Sequence, residues 1–248
     1  MKILLLNPNT SEVLTTQLTE VATRYAAVGT EIVPATGAFG VPYIANRAEA
    51  VIGASAALEI LAQQHDQVDG AILAAFGDPG LGAARELFDI PIVGLAEAGM
   101  LTACMLGKKF AIVTFSTALG AWYQECVEWN QLQDRCCAIR MLDQPFNSIG
   151  AVRDEKEDLL AELALAAVRE NGADVIVLAG APLSGLADRI RHRVPVPMID
   201  CCAAAIKQIE ALVSLNLKAP ETGTYCRPGA KDTTGLSAAL AARIEHRS

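Results

Sequence analysis

The stretch AAFGDPGL, residues 74–81, has an echo in AGAPLSGL, residues 179–186. Each follows an apolar run, and each closes on Gly-Leu. Two further pairs keep the same order and nearly the same offset of just over a hundred residues: KILLLNPNT from Lys2 with KFAIVTFST from Lys109, and IPIV from Ile90 with VPVP from Val194. Three ordered matches at one spacing point to an internal duplication.

Working outward from these pairs, short β-branched runs (KILLL, EIVPA, AILAAF, IPIVGLA, FAIVTF, CAIRML, VIVLAG, VPVPM) alternate with helix-like segments. The helical pattern covers 11–27, 48–63, 82–88, 94–106, 118–132, 155–171, 183–191 and 201–215. Apolar strands separated by helices specify a mostly parallel sheet covered on both faces. The expected fold is α/β, with two pseudo-symmetric lobes and a cleft between them. Each lobe is a mostly parallel four-stranded sheet flanked by helices. The lobes divide as 1–100 plus about 216–248 against 101–215, with 94–106 able to bridge them.

Composition narrows the function. In 248 residues, hydrophobic side chains make up 52% and charged ones 19%, enough for a sizeable core. A net charge of −8 argues against nucleic acid, whose phosphates need clustered Lys and Arg. MKILLLNPNT is too short an apolar run for a signal peptide, and no run reaches the roughly 20 residues of a membrane helix. A cytoplasmic protein with no membrane partner is expected. The seven cysteines are odd in number and lack C-x-x-C spacing, so neither a disulfide framework nor a zinc site is expected. His65, His192 and His246 lie in helical or terminal polar segments, which disfavours a multi-His metal site. The reading calls for no cofactor and no metal. It allows a homo-oligomer.

In parallel sheets, ligands bind outside the carboxyl ends of the strands. The segments expected there are NPNTS, GAFGVPYIANR, AFGDPG, LAEAG, TFSTA, GAPLSG and DCCAA, rich in residues that cap helices and free backbone N–H groups. Two such cradles facing each other suit a small carboxylate or cyclic amide. The paired loops make Asn7, Asn9 and Thr10, with Thr114, Ser116 and Thr117, candidates for polar ligand contacts. Ala75, Phe76 and Gly77, with Gly180, Ala181 and Pro182, are the matching rim positions. Arg47 and Arg227, in loops, are either carboxylate clamps or solvated charges, and Tyr43 and Tyr225 are candidates to close the pocket.

LLLNPNTS, FGDPGL from Phe76, GLAEAGM from Gly94, GKKFAIVT from Gly107 and the strand end at 197–200 together resemble the Asp/Glu/hydantoin racemase superfamily, in its hydantoin racemase-like branch. The resemblance spans essentially the whole chain. It implies the same pseudo-symmetric fold, and proton abstraction beside a carbonyl by two cysteines, one per lobe, from opposite faces of the substrate. It places those thiols at Ala75 and Gly180, which have none. The two-thiol shuttle is therefore not expected, and one-sided chemistry on a cyclic ureide or related carboxylate takes its place.

The replacement is left open. Asp78 and Asp200 either cap the following helices or, desolvated, act as a base. Glu97 and Asp143 are the other acids near strand ends. Cys201 and Cys202 open a helix, where the N-terminus would lower a thiol pKa. Either one is a nucleophile for a hydrolase, desulfhydrase or decarboxylase, or both are buried small residues. A third reading is a small-ligand-binding protein without catalysis.

Overall fold

The computed structural model describes residues 1–217 and 219–247. The first half runs β1 (Lys2–Asn7), α1 (Glu12–Tyr25), β2 (Glu31–Thr36), α2 (Arg47–Gln64), β3 (Gly70–Leu73), α3 (Leu81–Leu87), β4 (Ile92–Gly94) and α4 (Leu95–Leu106). The second runs β5 (Phe110–Thr114), α5 (Gly120–Trp129), β6 (Cys136–Met141), α6 (Val152–Glu155), α7 (Glu157–Asn171), β7 (Val175–Leu178), α8 (Leu186–Ile190), β8 (Met198–Asp200) and α9 (Cys201–Ser214). A final helix, α10 (Ala238–Ile244), packs back on α2.

The strands form two four-stranded sheets, ordered β2-β1-β3-β4 and β6-β5-β7-β8, with every pairing parallel. The second order is the first with each strand number raised by four, as the duplicated motifs require. Strands β3 and β7 are buried along their whole length, which is why GAIL and VIVL contain no polar side chain. Strands β2 and β6 sit at sheet edges and are only partly covered. Sequence-local caps start several helices: Ser11 accepts from Leu14 N, Asn46 from Glu49 N, and Asp200 from Cys202 N and Ala203 N.

The two linking helices exchange sheets. α4 packs on β5, β7 and β8, whereas α9 packs on β3, β4 and α1. They also pack on each other, closely enough that a Cβ on Gly99 would lie 2.6 Å from Cys201 Sγ. The division expected at residues 100 and 215 is thus corrected. The sheets lie within residues 2–94 and 110–200, but α4 and α9 each cross over, so no simple cut of the chain separates two independent cores. The larger of two apolar clusters accordingly runs from Ile3 and Leu5 through Val93 and Ala98 to Val177 and Ile206, while a smaller one around Leu4, Leu6, Leu61 and Phe88 stays within the first lobe.

Candidate functional site

The carboxyl ends of the central strands face one another across a cavity of about 20 Å³. The first lobe contributes Asn9, Leu14, Tyr43, Ile44, Ala75 and Phe76. The second contributes Phe115, Trp122, Tyr123, Gly180, Ala181 and Pro182. Ala75 and Gly180, which follow β3 and β7, therefore share one cleft. No lining side chain is charged, and none is Cys or His.

Sequence-local hydrogen bonds build the NPNTS turn. Asn7, fully buried at the end of β1, donates from Nδ2 to Asn9 Oδ1 at 2.9 Å and to Thr15 Oγ1 at 3.0 Å. Its side-chain Oδ1 accepts from Asn9 N at 3.3 Å. Ser11 N donates to Asn9 Oδ1 at 2.9 Å. Since backbone N–H groups can only donate, both amide orientations are determined, and Asn9 is left with its NH₂ for the cleft. Asn7 is scaffolding and not a ligand contact, a correction to its expected role. Thr10 likewise leaves the cavity lining; its N–H donates to Val41 O at 3.0 Å.

In the second lobe, Thr114 Oγ1 donates to Ala179 O at 2.8 Å, and the Tyr123 phenol is buried beside the cleft. Burial pushes that phenol well above the ordinary tyrosine range, so it stays protonated. Burial also raises Tyr43, whose ring meets Phe115 and Phe146 edge-on or tilted at 6.4 and 6.2 Å. Ser116 and Thr117 fall away from the cleft. Ser116 caps the turn Thr117–Leu119 by accepting from Ala118 N, and the exposed Thr117 reaches Asp143.

Gly77 and Gly180 are needed for their shape. Gly77 has φ +102°, and a Cβ there would lie 2.3 Å from the Trp122 ring. Gly180 has φ +112°, and a Cβ there would lie 2.8 Å from Phe115 Cε1 and 3.5 Å from the Tyr123 hydroxyl.

The remaining candidates are placed elsewhere. Asp78 accepts from Ala96 N and Glu97 N, both at 2.8 Å, and so holds the N-terminus of α4. Burial nevertheless pushes its carboxyl up to about 7. It lies behind the cleft, not in its lining. Asp200 plays a matching part, accepting from Cys202 N, Ala203 N and Gly185 N.

Cys201 and Cys202 are corrected from cleft nucleophiles to core residues. Cys201 Sγ donates to Leu178 O and Cys202 Sγ to Leu18 O, at 3.2 and 3.5 Å. Burial drives both thiols well above their usual range, opposite to the expected effect of the helix terminus. Desolvation of a thiolate here outweighs a partial charge at a helix end.

The cationic candidates also leave the cleft. Arg47 makes a forked pair with Glu125 of α5 at the exposed rim, Nε lying 2.9 and 2.8 Å from the two carboxylate oxygens. Arg227 donates to Arg243 O, and Tyr225 packs over Arg85, both away from the cleft. Among the described residues, no group of three or more His, Cys, Asp or Glu gathers as a metal-binding set. No helix is long and apolar enough to cross a membrane, also among the described residues.

Sequence reasoning missed Phe115, Trp122 and Tyr123. Their signal was faint: TFSTALGAWY puts two aromatics in the first turn of a helix that follows a strand end, but helical spacing alone reads them as core.

Two opposed strand ends on paired parallel sheets, linked by exchanged helices, define a duplicated α/β protein with a cleft between the lobes. The chain belongs to the Asp/Glu/Hydantoin racemase family, whose model matches residues 3–209. It is 31% identical over 238 residues to hydantoin racemase from Pseudomonas sp. (strain NS671), covering 95% of each chain. It is similar in structure to allantoin racemase from Klebsiella pneumoniae, with 33% identity, a TM-score of 0.91, and coverage of 97% of this chain and 98% of that one. Allantoin racemase from Pseudomonas fluorescens gives 30% identity and a TM-score of 0.89, over 95% and 100% of the two chains.

Proposed function

We propose that the cleft between the lobes takes up a small cyclic ureide, and that the chain acts on its carbonyl-activated carbon or on the ring without a two-thiol proton shuttle. One observation carries this reading: Ala75 and Gly180, where the family resemblance puts the paired thiols, line the same cavity, and nothing in that lining is a thiol. Inversion by two bases needs one on each face of the carbon, so one-sided chemistry is the expected outcome. Ring opening, loss of a substituent and decarboxylation all fit. Backbone N–H groups around Gly180 and Ala181 are the expected support for developing oxyanion charge. An uncharged cleft favours a neutral ring over a carboxylate, because an unpaired buried anion is costly.

The same uncharged lining favours a second reading, ligand binding without turnover. Incubation in D₂O with hydantoins, thiohydantoins, allantoin and aryl or alkyl malonates, followed by NMR and optical rotation, separates the two. Deuterium at the activated carbon, or a new product, with optical activity retained supports the first. Binding without exchange or product supports the second. Exchange with loss of optical activity overturns both in favour of racemization by another route.

A further inference from the structure

The cleft is shut in this structure. Its cavity of about 20 Å³ has room for about one water molecule, whereas small-molecule sites span roughly 300–1,000 Å³. Every residue that lines it is buried except Tyr43, so the Tyr43 ring is the part of the wall that borders solvent.

Three rings from three segments make that wall. Tyr43 comes from the connection between β2 and α2, Phe115 from the end of β5, and Phe146 from the connection between β6 and α6. Their centroids lie 6.4 Å (Tyr43–Phe115), 6.2 Å (Tyr43–Phe146) and 5.7 Å (Phe115–Phe146) apart. Phe115 is buried, while Tyr43 and Phe146 are half-buried and meet edge to face across the two lobes. The segments that carry these outer rings are irregular. Between Gly37 and Ala45 the chain is held, among the described residues, by a single hydrogen bond, from Thr10 N to Val41 O at 3.0 Å. Gly40 in the same segment has φ +117°. Residues 143–148 form neither helix nor strand. Segments with so few internal bonds open more easily than the sheets they connect.

One ion pair spans the same mouth. Arg47, four residues beyond Tyr43, forks onto Glu125 of α5, the helix that also carries Trp122 and Tyr123. Arg47 itself lines no part of the cavity. It therefore ties the end of the Tyr43 segment to the opposite wall of the cleft without entering it.

We propose that Tyr43 and Phe146 form a gate, which parts to admit a ligand, and that the Arg47–Glu125 pair is the latch that favours the closed arrangement. The inference concerns access to the cleft and goes beyond the cyclic-ureide reading, since it holds for whichever small molecule enters. Its test accordingly needs no ligand.

The experiment puts a thiol behind the gate with Ala75→Cys. Reaction with N-ethylmaleimide, a neutral reagent with a five-membered ring, is timed at each cysteine by mass spectrometry of digests. In the folded Ala75→Cys protein, labelling at position 75 is expected to be at least about a hundredfold slower than in urea. It should still outpace labelling at the buried Cys201 and Cys202, which report global unfolding. Adding Arg47→Gln should speed labelling at 75 by about two- to fivefold and leave 201 and 202 unchanged. Salt at about 1 M should have the same effect on the Ala75→Cys protein, and little on the one that also carries Arg47→Gln. The charge swap, Arg47→Glu with Glu125→Arg, should return the rate to within about twofold of its starting value. Tyr43→Ala or Phe146→Ala should each speed labelling at 75 by more than about tenfold, and if circular dichroism shows one of them unfolded, the other decides. Labelling at 75 that only keeps pace with 201 and 202 means access by global unfolding, and a rate equal to that in urea means a cleft already open; either overturns the proposal. An unchanged rate in the folded ring variants overturns the gate, and an unchanged rate in Arg47→Gln overturns the latch.

Discussion

The edge of the Phe115 ring lies where a side chain on Gly180 would have to begin: a Cβ there would be 2.8 Å from Phe115 Cε1, on a backbone with φ +112°. A side chain at this position would force Phe115 to shift and would strain the backbone. Gly180→Cys is expected to cost roughly 1–3 kcal/mol in urea unfolding, and Phe115→Leu in the same chain to recover part of it. Ala75→Cys, facing the cavity, should cost less than about 1 kcal/mol. Equal losses for the two cysteine variants would contradict this picture.

The thiols of Cys201 and Cys202 are sealed between α9, α1 and β7. A thiol reagent should leave both unmodified in the native protein and label them only after unfolding, as read by mass spectrometry of digests. Serine at either position should lower stability while leaving hydantoin affinity intact. Rapid native labelling of either one would reopen its candidacy as a nucleophile.

Asp78 ties stability to pH. Burial raises its folded-state pKa to about 7, above the unfolded value of 3.8. Below the unfolded value both states are protonated. As pH rises toward 7 the unfolded chain ionises first, so the contribution of this group to stability falls through that window and then levels off. Asn at position 78 cannot ionise. The stability of the wild type relative to Asp78→Asn should therefore decline from pH 4 to pH 7, as followed by thermal unfolding. A difference that is flat across this range would mean the two backbone N–H donors at least cancel burial.

Arg47 and Glu125 join α2 to α5 across the rim, both well exposed. A solvent-screened pair of this kind contributes little to stability, even with forked geometry. Arg47→Gln should leave the affinity for a neutral hydantoin within about twofold and reduce the sensitivity of unfolding to salt. A large loss of affinity would restore Arg47 as a ligand contact.

The fold was legible because its rules are local and periodic. Apolar runs too short for helices, separated by amphipathic segments, specify parallel strands, and the echo of AAFGDPGL in AGAPLSGL implies the same arrangement twice. The rim positions Ala75, Phe76, Gly180, Ala181 and Pro182 were legible for the same reason, since strand ends in a parallel sheet converge on the site.

The directions of side chains were not legible. Asn7 and Asn9 stand two residues apart in one turn, yet one is used up in scaffolding and the other faces the cleft. Cys201 looked like a helix-terminal thiol until α9 crossed to the first sheet and α4 covered it through Gly99. Trp122 and Tyr123 gained a place only where the opposing lobe supplied Gly77 for one to rest on and a shared cavity for the other. By itself, the sequence determined that two sets of four mostly parallel strands repeat, which loops gather at their carboxyl ends, and that Ala75 and Gly180 carry no thiol. Which polar atoms face that meeting point was decided only by the packing of two lobes and their exchanged helices, because hydrogen-bond partners and burial come from contacts between residues far apart in the chain.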